Sequence, residues 1–408
     1  MSGLVDRHGA AYADVFGRPS AGLVRGRGAR VWDEDGRELI DFLAGIAVNS
    51  VGHAHPDWVA ALADQAATLG HISNLFASRP QVELAERLLG LAGMPDGSGV
   101  FLANSGAEAN EAAFKLARRH GAEHGGRGEI LAFEGAFHGR TMGSLALTHK
   151  EAYRAPFEPL PGGVRHIPYG DAGLAAREIT ERTAAVIVEP LLGEAGVIVP
   201  EPGFLDALRA RTREVGALLI VDEIQTGIGR TGRWLASEGI EPDAVTLAKG
   251  LGGGFPIGAL LMRGESTTAL LAQGQHGSTF GGNPLAASAA LATLGIMERE
   301  GLLAAATARG DFVRAGLEAL PQVTAVRGEG LLLGADLRGG VSAPAVVARA
   351  LEAGVIVNAT GPSTLRLAPP LVLTEADAEA GLARLGEALA ATDPHGPAGH
   401  DPHGKERS

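Results

Sequence analysis

The chain has 408 residues, 45% apolar and 20% charged, with 60 glycines, no cysteine and a formal net charge of -12. That length suits about two to three domains with a sizeable core. The lack of cysteine excludes disulfides, thiolate metal sites and a cysteine nucleophile, and the acidic balance argues against nucleic acid as a partner.

Met1 to His8 has no apolar targeting core, and no apolar run is long enough to span a bilayer, so a cytoplasmic location without a membrane partner is expected. Residues 1 to about 20 read as a lead-in. Ala29 to Leu43 reads as a β-hairpin turning at Glu34, Asp35 and Gly36. His55, Pro56 and Asp57 start a helix with proline in its first turn. His53 and His55 lack a carboxylate or third histidine at ligand spacing, so they read as loop and helix start, and no metal site is expected. Residues 80–92 form another amphipathic helix.

From there a strand–helix alternation runs to about residue 262. The strand-like runs are Gly99 to Ala103, Glu129 to Phe133, Ala184 to Val188, Ala217 to Val221, Ala244 to Ala248 and Ile257 to Met262. Helical runs such as Gly106 to His120 and Pro202 to Val215 lie between most of them. Near-continuous apolar strands alternating with helices indicate a parallel sheet covered on both faces. Ligands bind beyond the carboxyl ends of such strands, and there the polar residues of this chain collect. A long helix, about Pro284 to Glu300, leads to a region read as helices near 301–319 and 342–353, strands near 323–337 and 354–368, and a last helix from Glu375 to Ala391. The end of the chain, with His395, His400 and His403, reads as a solvated disordered tail.

Each strand end offers two readings. Ser105 and Glu108 have capping-box spacing, which needs no ligand, yet Gly106 and Ala107 behind them let backbone N–H groups approach a phosphate. Phe137 is either a core residue or a ring that stacks on a flat ligand; Arg140 is either a surface charge or a carboxylate fork. Asp222 ends a buried strand, where a carboxylate needs a cationic partner or several donors. The run Gly227 to Gly232 matches G-x-G-x-x-G, but it starts several residues after its strand and no helix start follows, so it is not a dinucleotide fingerprint. Lys249 follows an apolar run and precedes a glycine cluster; it either snorkels to water or serves as a nucleophilic amine. Ser278 and Thr279 lie in a glycine-rich loop that either caps the next helix or touches a phosphate.

A phosphate cradle, a stacking ring, an acid at a strand end and a lysine converge on pyridoxal phosphate, whose chemistry needs a lysine for the covalent link and an acid beside the pyridine nitrogen. Seven motifs, NSGAEANEAAFKLAR, AFHGRT, VEPLLGEAGV, LLIVDEIQTGIGRTG, LAKGLGGGFPIGA, HGSTFGGNPLA and LRLAPPL, resemble those of the class III pyridoxal-phosphate aminotransferases. The resemblance covers about residues 20–392, and within the class the chain looks most like the acetylornithine aminotransferases. It implies an α/β aspartate-aminotransferase-like fold, fold type I. The large cofactor-binding domain, residues 56–300, would have a mostly parallel central sheet. A smaller α+β domain would follow at 301–392, with residues 1–55 packing against it and a tail at 393–408.

The resemblance also implies roles. Lys249 would carry the cofactor and Asp222 would pair with its pyridinium nitrogen. Gln225 would bond the phenolic oxygen, Phe137 would stack on the ring, and Ser105, Gly106 and Ala107 would hold the phosphate. Thr279 would complete that phosphate site, with Ser278 beside the substrate, both from the partner subunit of a homodimer whose sites lie at the interface. Arg140 would hold the α-carboxylate. Arg366 and Glu194 would form a switch pair, Arg366 binding the carboxylate of glutamate and Glu194 neutralising it for the ω-amine. The implied activity is ping-pong transfer of the δ-amino group of N2-acetyl-L-ornithine to 2-oxoglutarate. Succinylornithine, ornithine, 4-aminobutyrate and lysine-pathway donors stand as alternatives. Two positions depart from the pattern: Ala107 stands where a threonine is common, and Ala77 where ornithine and 4-aminobutyrate enzymes commonly carry tyrosine, which leaves room for an acyl group.

Overall fold

The computed structural model describes residues 3–393. The lead-in contains a helix, Leu4–Ala11, and the expected hairpin follows as an antiparallel trio, β1 (Leu23–Arg27), β2 (Arg30–Asp33) and β3 (Glu38–Asp41). Its turn forms because the Asp33 carboxylate accepts the N–H of Asp35 at 3.1 Å and of Arg37 at 2.8 Å. His53 pairs with Asp41 at 2.8 Å and His55 with Glu300 at 3.1 Å.

The segment after β3 is unusual. Ala44, Gly45, Ile46 and Ala47 all have positive φ, between 50° and 68°. Left-handed backbone costs roughly 1–2 kcal/mol for each residue with a Cβ. Asp41 holds the turn: its Oδ1 accepts the N–H groups of Leu43 at 2.9 Å and Ala44 at 2.8 Å. Ala47 packs with Leu191, Val197, Leu332 and Ala368 in a small buried cluster.

The central sheet has seven strands: β4 (Gly99–Ala103), β5 (Glu129–Phe133), β6 (Val164–Ile167), β7 (Thr183–Val188), β8 (Leu218–Asp222), β9 (Ala244–Leu247) and β10 (Gly258–Met262), in the spatial order β4-β10-β9-β8-β7-β5-β6. Every residue of β7 to β10 is buried, as continuous apolar runs require. Successive side chains point to opposite faces. Ile130 and Ala132 therefore pack with the helix Gly106–Glu123, and Leu131 and Phe133 with the helix Phe204–Val215. Two features differ from the expectation. β10 runs antiparallel to both neighbours, because the short link from Leu247 to Gly258 has no room for a crossover helix. β6, with only Val164 and Ile167 apolar, is an edge strand too polar to read as a sheet member.

The helices Pro284–Arg299 and Leu302–Glu318 lead to β11 (Val323–Glu329), β12 (Leu332–Leu337), β13 (Val355–Ile356), β14 (Asn358–Ala359) and β15 (Thr364–Leu367), with sheet order β11-β12-β15-β14. β13 pairs with β3, so the N-terminal hairpin is tied to the C-terminal region. The last helix is Glu375–Thr392. Asp393, read as the first tail residue, is instead held by Arg338 and by Gln322; His395, His400, His403 and the rest of the expected tail lie outside the described residues. Among the described residues no helix is long and apolar enough to cross a membrane.

The glycine run after β8 forms a buried loop with Ile228, Gly229 and Gly232 at positive φ, and no helix follows. Its Arg230 is 2% exposed. Nη1 donates to the carbonyls of Leu331 at 3.0 Å and Pro369 at 2.5 Å. Burial lowers its pKa to about 9, with only the more distant charge of Asp41 opposing the fall. The loop thus joins the central region to the C-terminal one through this charged fork, the Leu331 N–H on the Arg230 carbonyl at 3.0 Å and the Arg233–Glu329 ion pair at 3.2 Å. Arg230→Ala is expected to cost about 2–4 kcal/mol of stability, since two buried carbonyls lose their donor and a large side chain leaves a void. A fall in the urea midpoint at unchanged slope would show it; an unchanged midpoint would refute it.

Candidate active site

A cavity of about 410 Å³ opens at the carboxyl ends of β4, β5, β7, β8 and β9. Lys249 lies in its wall. The strand stops at Leu247, and Lys249 begins a 3-10 turn, Lys249–Gly252, with φ 38°. Sequence placed it at the strand end itself; it instead opens the turn two residues beyond the strand and lines the cavity. Burial lowers its pKa, with Glu194 opposing, Arg366 adding to the fall, and Glu189 and Asp222 opposing. The glycines that follow serve packing more than ligand approach: a Cβ at Gly250 would sit 2.5 Å from Ser50 Oγ and one at Gly253 2.6 Å from Thr293 Oγ1, and among Gly250 to Gly254 only Gly254 lines the cavity.

Asp222 closes β8, buried at 3% exposure. Its Oδ2 accepts the Asn110 amide at 2.7 Å and pairs with His138 Nδ1 at 2.7 Å; its Oδ1 accepts the Ile224 N–H at 3.0 Å. Burial alone would strip the charge from His138, but the hydrogen bond and charge of Asp222 outweigh it and raise the imidazole pKa. Asn110 also donates to the His138 carbonyl at 2.8 Å, which locks the trio. Neither Asn110 nor His138 was assigned a role from sequence, because the helix and the loop that carry them meet Asp222 only in the fold.

At the other end, Ser105 caps the helix Gly106–Glu123 by accepting the Glu108 N–H at 3.2 Å. The capping box is only half formed: Glu108 reaches one residue farther back, to the Asn104 N–H at 2.6 Å. Gly106 and Ala107 line the cavity, and the first N–H groups of a helix have no partner within it. Phe137 lines the facing wall. Arg140 is exposed at the mouth, its guanidinium 3.6 Å over the Tyr153 ring, and forms no ion pair among the described residues.

Arg366 is 1% exposed and pairs with Glu194, which lines the cavity. Arg366 also contacts the Gly193 carbonyl at 3.3 Å, Asn358 at 3.2 Å and Gln225 at 3.4 Å, while its Nη2 has no partner. Burial alone would raise the Glu194 pKa; the charges of Arg366 and Lys249 outweigh it and hold the carboxyl below its ordinary range. Glu189, missed from sequence, also lines the cavity. It follows β7 as Lys249 follows β9, so the same rule of polar residues at strand ends would have found it. Ser278 and Thr279 do not line this cavity: Ser278 Oγ contacts Asn104 at 3.0 Å and the Gly281 N–H at 2.9 Å, and Thr279 is exposed.

These residues fit pyridoxal phosphate. Free N–H groups at a helix start suit its phosphate, Phe137 offers a ring face, Asp222 is a fixed acid, and Lys249 is an amine shifted toward its neutral form. Among the described residues no group of three or more histidines and carboxylates could hold a metal.

The family model for aminotransferase class-III matches residues 14–389. The chain is 51% identical over 387 residues to the acetylornithine aminotransferase of Streptomyces coelicolor, covering 94% of each, and 48% identical over 400 residues to that of Bifidobacterium longum, covering 92% of each. Among solved structures it is similar to the ornithine aminotransferase of Toxoplasma gondii, with a TM-score of 0.89, 33% identity, and 95% of this chain and 94% of that one covered. It is also similar to the N-acetylornithine aminotransferase of Stenotrophomonas maltophilia, with a TM-score of 0.80, 38% identity, and 95% and 99% covered. A fold shared with these structures, a family match over nearly the whole length and a cavity that suits the cofactor agree: the chain belongs to the class-III aminotransferases, pyridoxal-phosphate-dependent transaminases of the aspartate-aminotransferase fold.

Proposed function

We propose that this enzyme moves the δ-amino group of N2-acetyl-L-ornithine to 2-oxoglutarate, giving N-acetyl-L-glutamate 5-semialdehyde and L-glutamate, a step of arginine biosynthesis. The single observation that carries the proposal is the Arg366–Glu194 pair beside Lys249. It offers one pocket two charge states, as a ping-pong exchange between a dicarboxylate and an acylated amine requires. The names of the relatives support the choice of donor.

When bound, pyridoxal phosphate supplies the carbonyl that accepts the amino group and the ring that delocalises the electron pair released at the substrate carbon. Asp222, fixed by His138 and Asn110, would pair with the ring nitrogen. The N–H groups of Gly106 and Ala107 would hold its phosphate, with Ser105 beside them, and Gln225 would bond its phenolic oxygen; all four line the cavity. Lys249 Nζ, whose pKa burial lowers, takes the proton from the substrate carbon and returns it. Arg366 receives the carboxylate of 2-oxoglutarate that adjoins its reacting carbon, and Glu194 neutralises Arg366 when the ω-amine donor, whose reacting carbon bears no carboxylate, enters. Arg140 at the mouth meets the α-carboxylate of the donor. Ser278 and Thr279 reach the cavity of a second copy; exposed Phe76 and Phe280 near this loop are the apolar surface such a homodimer would cover.

A donor panel with 2-oxoglutarate as acceptor tests this. Acetylornithine is expected to show the highest kcat/KM, and Arg366→Ala to raise the KM for 2-oxoglutarate by about 100-fold while moving the donor KM far less. A clear preference for ornithine, succinylornithine or 4-aminobutyrate would overturn the assignment.

A further inference from the structure

Glu189 stands one residue beyond β7, 6% exposed, in the cavity wall. Its Oε1 accepts the Phe137 N–H at 2.8 Å and its Oε2 accepts the Gly193 N–H at 3.4 Å. No lysine, arginine or histidine forms an ion pair with it among the described residues. One carboxylate therefore joins two loops, the one carrying Phe137 and His138 and the one carrying Glu194. The second loop has no slack at this point, because a Cβ on Gly193 would lie 1.8 Å from Gln225 Oε1. An unneutralised carboxylate in such a place costs stability, and two backbone donors alone do not repay it in full. A glutamine of the same shape would keep an acceptor without the charge.

We propose that Glu189 is a positioning residue of the transamination reaction, its carboxylate setting the gap between the Phe137 ring and the Gly193–Gln225 wall and so the tilt of the cofactor ring between them. The inference rests on the aminotransferase activity and not on which amine is the donor. The charged and titratable groups around Glu189 are His138, Asp222 and Lys249, with Tyr169 donating its hydroxyl to the Glu189 carbonyl at 2.9 Å. Burial pushes the Glu189 pKa up to about 7, His138 pulling it down and Asp222 pushing it further up. An acid raised in the folded state destabilises that state as it ionises. The cost is absent below the unfolded value, near pH 4.3, and is complete above about pH 7.

The test compares Glu189→Gln and Glu189→Ala with wild type in three readouts: the melting midpoint of the apoprotein from pH 5 to 8, the Kd for pyridoxal phosphate, and the pH midpoint of the visible absorbance of the loaded enzyme. Glu189→Gln is expected to bind the cofactor within about threefold of wild type, to gain melting temperature over wild type as pH rises from 5 to 7, and to move the absorbance midpoint to lower pH as a negative charge is lost. Glu189→Ala is expected to bind roughly tenfold or more weakly, since both N–H donors lose their acceptor. An alanine variant with wild-type affinity and absorbance midpoint would overturn the proposal, even with a lowered melting point. A glutamine variant as defective as alanine would overturn it too. If the alanine variant fails to fold, the absorbance midpoint of the glutamine variant decides alone, and an unmoved midpoint counts against the proposal.

Discussion

Lys249→Ala is expected to lower turnover by at least about 10⁴-fold, the upper range for removing a positioned acid–base group, with the covalent anchoring function lost besides. The amine lies in the cavity and makes no ion pair among the described residues. Burial has already moved its pKa toward the range where a neutral amine exists. Arginine cannot replace it, because a guanidinium stays protonated. The folded state does not need the lysine: an amine held in low dielectric opposes folding, and the strain of the backbone at φ 38° is the same with alanine. The variant is therefore expected to melt no lower than wild type in the apo form. Added methylamine should restore part of the turnover by supplying the missing base. Turnover within tenfold of wild type would remove Lys249 from the chemistry, whatever the melting curve showed.

The second large effect belongs to Asp222. Asp222→Ala is expected to reduce kcat/KM on the order of 10³-fold, the loss typical when a preorganised charge is taken from a site shielded from water. His138 Nδ1 and the Asn110 amide would face an empty space. Asp222→Asn keeps the volume but puts an uncharged amide against His138. The stability of this pair depends on pH, and the sign follows from the imidazole. Its folded pKa is raised, so the His138 contribution is fully present below about pH 6.5 and fades as pH climbs through the folded value. The stability gap between wild type and Asp222→Asn should therefore narrow from pH 6 to pH 9. A constant gap would mean that His138 is uncharged in the native protein, and kcat/KM within tenfold of wild type for Asp222→Ala would sink the role given to the carboxylate.

Much of this arrangement was legible in one dimension. Buried strands announce themselves as apolar runs, and a polar residue just past such a run has few reasons to be there, which is how Asp222 and Lys249 stood out. Caps and prolines marked the helices at Ser105 and Pro56. What stayed hidden depends on distance along the chain. Arg366 sits in β15, far from Glu194 in sequence, and only the likeness to relatives suggested that they meet. Asn110 looks like any polar residue on a helix until the helix packs against β8. The half-formed capping box shows the same limit on a local scale: spacing says which groups are in reach, while the loop shape decides that Glu108 bonds to Asn104. β10 is antiparallel for want of linker length, a constraint that apolar patterning does not carry.

The left-handed turn at Ala44–Ala47 has a consequence for anyone seeking a more heat-resistant version of this enzyme. A glycine at Ala44, Ile46 or Ala47 would release conformational tension, and a screen for higher melting temperature would be drawn to these positions. The turn ends at Val48, which faces the cavity, and is buttressed by Ala47 against the loop that carries Glu194. Glycine would also free that wall to move. Stability and the stiffness of that wall thus pull against each other within a few residues.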